Sequence, residues 1–276
     1  MLGLYVYNIV LNFLFTPNYI HIKTGGLIVN IMNDIGHRGW PLPSKYWIMQ
    51  QTWRNLLFLH WPIPLNTLRP YIPSSLQIDT FNGSAWLGVI AFVLEGIFPR
   101  GLSSISLTPK FPEINVRTYV TCDGKPGIYF LSIDVENWAS LKIAKRWFHL
   151  PYNSAQISFR KEEQSFHFHS SRKGHFNTPI SFKGKYVPVS EVYYPREGTL
   201  DHWLTERYCL YSSNNGANIY CGEIHHLPWP LQKAEIQIVE NTLFSPFHFE
   251  LSQVNPIAHF STGVDSLVWN IKKKKI

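Results

Sequence analysis

Apolar and polar residues alternate with a period of two along much of the chain, the pattern that sends successive side chains to opposite faces of a β-strand. SAWLGVIAFVLE (84–95) reads as a long, mostly apolar strand. INVRTYV (114–120) sets Ile114, Val116, Thr118 and Val120 on one face and Asn115, Arg117 and Tyr119 on the other. The turn Cys-Asp-Gly-Lys-Pro-Gly joins it to IYFLSIDV (128–135), which predicts an antiparallel hairpin. AQISFRK and SFHFHSS flank Glu162-Glu163 as a second hairpin, and the His167 and His169 positions read as a half-exposed edge strand. A third hairpin is expected around Asn214-Asn215-Gly216, leading into NIYCGEIHH, and AEIQIVENTLF is a further strand.

Helical periodicity is rarer. NTLRPYI (66–72) is short and curtailed by Pro70 and Pro73. NWASLKIAKRWF (137–148) brings Trp138, Leu141, Ala144 and Phe148 near one stripe, with Lys142 and Lys145 off it. TLDHWLTERYCLY (199–211) opens with Thr199 as an N-cap and Asp201 in the first turn, where a negative charge complements the helix dipole. The expected fold class is α+β, β-dominated: a large antiparallel sheet, curled or closed, with two or three short helices packed on it.

Composition fits a packed core: 45% of the 276 residues are apolar, 15% aromatic and only 16% charged, which excludes a disordered chain. No repeat or Gly/Ser linker divides it, so residues 33–276 read as a single domain. The opening MLGLYVYNIVLNFLFT is apolar but short of the roughly 20 residues that span a bilayer, and no basic residues precede its apolar run as they do in a signal peptide. Met32 stands just ahead of HRGWPLPSKYW, and residues 1–32 are expected to be an extension outside the core from an upstream start. An interfacial anchor in residues 1–17 is the alternative, and otherwise no membrane partner is expected.

The net charge of +7 changes this picture little, because the basic residues are scattered and their only run is Lys272–Lys275, a solvated tail. No nucleic-acid partner is expected. The three cysteines, Cys122, Cys209 and Cys221, give neither a disulfide framework nor a CxxC site, so a reducing cytoplasm is the default.

Glu223-Ile224-His225-His226 would put Glu223 and His225 on one strand face, but no third ligand stands at telling spacing, and neither metal nor cofactor is expected. There is no GxSxG, GxGxxG or P-loop, and neither Cys122 nor Cys209 lies in a motif that activates a thiol. What remains are charged residues within apolar segments: Arg54, Glu113, Arg117 and Glu206-Arg207. Either they form structural Arg–carboxylate pairs, or they line an inward-facing site where a guanidinium fork takes a small anion.

HRGWPLPSKYWIMQQTWRNLLFLHWPIP, LRPYIPSSLQIDTFNGSAWLGV, FPEINVRTYVTCDGKPGIYFLSID, FHLPY, LDHWLTERYCLY and GEIHHLPWPLQ together resemble the YqjF-like bacterial family, a domain of unknown function, over about residues 36–270. That family is similar, more distantly, to the acetoacetate decarboxylase-like superfamily, whose curled antiparallel sheet surrounds a closed cavity. In the decarboxylase, a lysine in a Pro-Lys-Lys turn forms a Schiff base with the keto acid, assisted by an arginine and a glutamate. The resemblance carries that arginine, by gapless counting back from LRPYIPSSLQID, onto Arg54, and the glutamate onto Glu113. FHLPYNSA resembles the lysine turn, with Tyr152 at the Schiff-base position and Asn153 beside it. A phenol forms no imine, so Schiff-base decarboxylation is disfavoured. The resemblance implies a small organic acid or carbonyl compound bound by Arg54, Glu113, Arg117, Tyr152 and Asn153. The enzymatic alternative is lyase, isomerase or hydrolase chemistry with Glu113 as base and Tyr152 as acid; a purely structural Arg54–Glu113 pair is the third reading.

Overall fold

The computed structural model describes residues 31–102, 106–136, 148–174, 178–214, 218–251 and 254–274. Fourteen strands form one continuous hydrogen-bonded system. Seven of them close a ring: β1 (Met49–Ile63), β3 (Ala85–Pro99), β4 (Phe111–Cys122), β5 (Lys125–Val135), β10 (Cys209–Asn214), β11 (Asn218–His226) and β13 (Ile257–Val268) pair in the order β1-β3-β4-β5-β10-β11-β13, and β13 returns to β1. The pairings are antiparallel except where β5 runs parallel to β10 and to the short β6 (Tyr152–Ser154).

The second layer leaves the ring at β13. Residues 259–261 of β13 pair with β12 (Leu231–Asn241), whereas residues 266–268 pair with β11. From β12 the order continues through β9 (Pro179–Pro188) and β8 (Ser165–Lys173) to β7 (Gln156–Glu162), so β7 is the edge and the His167–His169 strand lies one place inside it. Two short strands complete the count: β2 (Gln77–Ile78) beside β4 and β14 (Lys272–Lys273) beside β11.

Strand alternation divides the core in two. Leu57, Leu59, Leu87, Val89, Ile114 and Val116 point out of the ring and pack beneath Phe166, Phe168, Phe182 and Tyr186 of the second layer. Each such side chain withdrawn from water contributes about 1.5–3 kcal/mol, which makes this interface the main apolar seam. The opposite face of the same strands, with Phe58, Ile90, Phe92, Ile133 and Trp229, lines the interior of the ring.

Three expected elements need correction or placement. The helix expected over 199–211 is α2 (Leu200–Thr205), introduced by the Thr199 cap, and it stops where Glu206 leaves helical geometry at ψ 77°. Cys209–Tyr211 belongs to β10, because Leu210 packs inward while Cys209 and Tyr211 pack outward, a strand period. The segment 66–72 forms α1 (Leu65–Leu68) and a 3-10 turn over Arg69–Tyr71. The helix expected over 137–148 lies, but for Phe148, outside the described residues, as do Lys142 and Lys145. At the N-terminal side, Ile31 is 2% exposed and packs with Leu267 and Trp269, so the packed chain reaches back past residue 33. Among the described residues, no helix is long and apolar enough to cross a membrane.

The ring closes around a bulge in β1. Trp53 pairs with Leu94 and Leu57 with Ala91, with the register broken between, and Asn55 takes a left-handed φ of 53°. Across the bulge, Gly263 has φ 123°, and a Cβ there would lie 2.0 Å from the Trp53 carbonyl oxygen. Gly263→Ala is therefore expected to cost about 2–4 kcal/mol. Chemical denaturation checks this, with Gly198→Ala, whose added Cβ meets nothing within 4 Å, as the control that keeps the φ penalty but lacks the clash.

Candidate binding site inside the barrel

The lateral register places the interior side chains in rows. One row runs from His259 through Phe58, Ile90, Asn115 and Ile133 to Tyr152. Its neighbour runs from Ile257 through His60, Gly88 and Arg117 to Phe130, and on the other side lie Phe92, Glu113 and Val135. Because β4 starts at Phe111, Glu113, Asn115, Arg117 and Tyr119 share the inner face. Glu113, Arg117 and Tyr152 are thus brought together within the ring.

Arg54 and Asn153 are not. Arg54 stands across from Val93 and Gly263 on the outer face and donates to Asp265 at 2.9 Å and to the Trp53 carbonyl at 3.0 Å. The β1 bulge is the cause: counted back from the inward Phe58 and Leu56, Arg54 would face inward, and the extra residue turns it out. Asn153 follows the inward Tyr152 in β6, so it points outward and donates to Asp134 at 3.1 Å; Asp134 is also bound by Arg172. Its partnership is structural.

The interior guanidinium is instead that of Arg117. Among the described residues no carboxylate lies within 4 Å of it, and its Nε has no hydrogen-bond partner. Gly88 makes room for it. A Cβ at Gly88 would sit 3.3 Å from the Tyr119 hydroxyl and 3.4 Å from both Arg117 Cγ and His60 Cδ2, so these side chains close together over the glycine. The Tyr119 hydroxyl lies 2.7 Å from His60 Nε2. Burial, with Arg117 and His259 adding to it, pushes His60 well below its ordinary range, so the imidazole is neutral.

Glu113 is 6% exposed and accepts a 3.3 Å hydrogen bond from the Asn115 amide. Burial raises its pKa to about 7, against the opposing pull of Asn115 and Arg117. Burial, and then the nearby Glu113, drive Tyr152 up as well, so its phenol keeps its proton. Enclosed as they are, Arg117 and Tyr152 are only partly buried by accessible surface, like their neighbours Trp53 and Phe130.

Helix α2 packs Leu200, Trp203 and Leu204 against Trp86, Tyr119 and Leu210 of the ring. Arg207, just beyond it, pairs with Asp79 at 2.7 Å and lies over the Trp203 and Tyr119 rings, while its Nη2 has no partner. Asp201 accepts from Tyr193 at 2.9 Å and faces His259 Nε2 at 3.3 Å. Among the described residues, His60 Nδ1, His259 Nδ1 and Trp86 Nε1 are also buried without partners. Sequence reasoning did not assign His60, Tyr119 and His259 to the site: Tyr119 shares the strand face of Arg117 by period two, whereas His60 and His259 arrive from β1 and β13 through lateral pairing. Glu223 and His225, weighed as metal ligands, both meet Arg38 outside the ring, with Glu223 also accepting from Trp40 and Lys125.

Residues 50–265 match the family model DUF2071, described as an uncharacterized conserved protein. The chain is 39% identical over 232 residues to the uncharacterized protein YqjF of Bacillus subtilis (strain 168), covering 84% of this chain and 95% of that one. Solved structures share the fold at far lower identity. Acetoacetate decarboxylase from Legionella pneumophila superposes with a TM-score of 0.55 at 10% identity, over 93% of this chain and 98% of the other. The enduracididine biosynthesis enzyme MppR complexed with pyruvate gives 0.58 at 9% identity, over 83% and 91%. The chain belongs to the YqjF-like family DUF2071 and carries an acetoacetate decarboxylase-like fold.

Proposed function

We propose that the barrel interior binds a small organic acid or carbonyl compound, with Arg117 taking its carboxylate or carbonyl oxygen and Glu113 and Tyr152 forming the adjoining wall. The observation that carries this reading is the Arg117 guanidinium, which lies over the Phe58 ring and has, among the described residues, no carboxylate within ion-pair distance and no partner for its Nε. A cation held partly out of water without a counterion is destabilised, and an anionic ligand offsets that cost. The unpartnered donors of Arg207, His60, His259 and Trp86 add hydrogen-bonding capacity around it. MppR, whose fold the chain shares, is solved with pyruvate, a ligand of this class. Arg117 replaces Arg54 in this role because the Arg54 fork is already committed to Asp265.

Ligand binding stabilises a fold in proportion to the logarithm of its concentration over Kd. Thermal denaturation with pyruvate, acetoacetate and longer 2-oxo acids is expected to show a saturable rise in Tm that Arg117→Met abolishes and Arg54→Gln retains. The reverse pattern rejects the assignment. Borohydride with acetoacetate is expected to leave the protein mass unchanged; a reduced adduct contradicts binding without an imine.

The alternative, acid–base chemistry on a carbonyl substrate, draws on the Glu113 carboxyl, whose pKa of about 7 suits proton transfer near neutrality. A carboxyl raised on folding opposes stability as pH climbs from its ordinary 4.5 through 7, because the native state retains a proton that the unfolded state has released. Relative to wild type, ligand-free Glu113→Gln should gain about 3 kcal/mol of stability between pH 4 and pH 8, at 1.36 kcal/mol per unit. Urea denaturation at the two pH values measures it, and a flat difference shows an ordinary carboxyl.

A further inference from the structure

The outer surface of the ring holds a second chemical group that the proposed binding site does not use. In the β10–β11 hairpin, Cys209 faces Glu223 and Tyr211 faces Cys221, so the two cysteines are diagonal neighbours on one face. Their Sγ atoms lie 2.7 Å apart, much closer than two packed thiols need to be. Cys209 is fully buried, whereas Cys221 keeps 7% of its surface and forms part of the wall of a surface pocket of about 260 Å³. That pocket is also lined by Lys125, Glu223, Lys272, Lys273 and Lys274, and β14 sets Lys272 directly across from Cys221. Two of the lysines are paired, Lys125 with Glu223 and Lys274 with Asp123, each at 2.7 Å, and the pocket keeps a net positive charge.

We propose that Cys221 and Cys209 form a thiol–disulfide exchange site, in which Cys221 is the attacking thiol, Cys209 the resolving thiol, and the lysine-lined pocket receives an anionic low-molecular-weight disulfide such as glutathione disulfide. The contact with Cys209, with Lys125 and Lys274, holds the Cys221 thiol below its ordinary range against burial and Glu223, while the same contact and burial push Cys209 up. Cys221 gives up its proton, and its sulfur attacks one sulfur of the small disulfide. A mixed disulfide forms, and one glutathione thiolate leaves and takes up that proton. Cys209 then loses its proton and attacks Sγ of Cys221, which releases the second glutathione as a thiol. The protein dithiol is oxidised by two electrons and the small disulfide is reduced to two thiols. The product staples β10 to β11 at the turn from Arg207 into the barrel wall.

Native protein treated with glutathione disulfide is expected to lose two thiols, fall in mass by two hydrogens, and yield a Cys209–Cys221 peptide on digestion, with Cys122 still free. Cys209→Ala should arrest at a glutathione adduct on Cys221. Because this variant removes a buried thiol, peptide mapping of the wild type is the primary measurement. Oxidation by glutathione disulfide should be about tenfold faster than by a neutral disulfide such as hydroxyethyl disulfide, and added salt should erase the gap. Lys272→Gln/Lys273→Gln should erase it too. Two thiols left intact in the folded protein, an adduct on Cys122 alone, or equal rates with both disulfides overturns the proposal.

Discussion

Arg117 carries a permanent positive charge into a barrel whose inner face mixes aromatic side chains such as Phe58, Phe130 and Trp229 with the polar groups of Glu113, Asn115, His60 and Tyr119. Guanidinium stays protonated at any physiological pH, so the fold must compensate it by dipoles, by a counterion or by a ligand. Gly88 removes the side chain that would stand between Arg117 and His60, and the Tyr119 hydroxyl packs over the same glycine. The carboxyl on the same strand face, Glu113, is held neutral up to about pH 7 by its burial. Were Glu113 ionised at lower pH, it would serve as the counterion; protonated, it leaves the charge of Arg117 for a small anion. Under the proposed function, the same carboxyl would link ligand affinity to pH, since ionisation of Glu113 and entry of an anion would compete for one guanidinium.

The sheet does two jobs with its two faces. Outward side chains make the apolar seam with the second layer, and the inward face of the same strands carries Glu113, Asn115 and Arg117 among a second apolar cluster, so the two environments are separated by a single strand thickness. Closure depends on β13, which serves the second layer with its first half and β11 with its second. The bulge at Arg54 and Asn55, matched by Gly263 across the ladder, lies at this branch point and sets which way β1 faces on either side of it.

That bulge also explains what the sequence showed and what it hid. The hairpins over 114–135 and around Glu162-Glu163 were legible because alternation and turn residues agree, and period two put Arg117 on one face with Asn115 and Tyr119, to which the start of β4 at Phe111 adds Glu113. Arg54 was misplaced because one inserted residue reverses every side chain beyond it, and no composition signal marks such an insertion. Asn153 was grouped with Tyr152 because FHLPYNSA reads as a turn; as strand β6 it sends neighbouring residues to opposite faces. His60 and His259 join the site through lateral pairings of β1 with β3 and β13, which depend on register between distant segments. The proximity of Cys209 and Cys221 was hidden for a related reason: reading 199–211 as one helix removed the strand that makes them neighbours.

The central claim is that Arg117, and not Arg54, receives an anionic oxygen inside the ring. A crystal structure of the protein grown with a saturating 2-oxo acid tests it most directly. The account predicts the ligand within the barrel, its carboxylate oxygens about 3 Å from the Arg117 guanidinium, beside Glu113 and Tyr152 and with no covalent bond to the chain. An interior filled by side chains with Arg117 paired to Glu113, a ligand seated at Arg54, or a lysine bonded to the ligand carbon would contradict it.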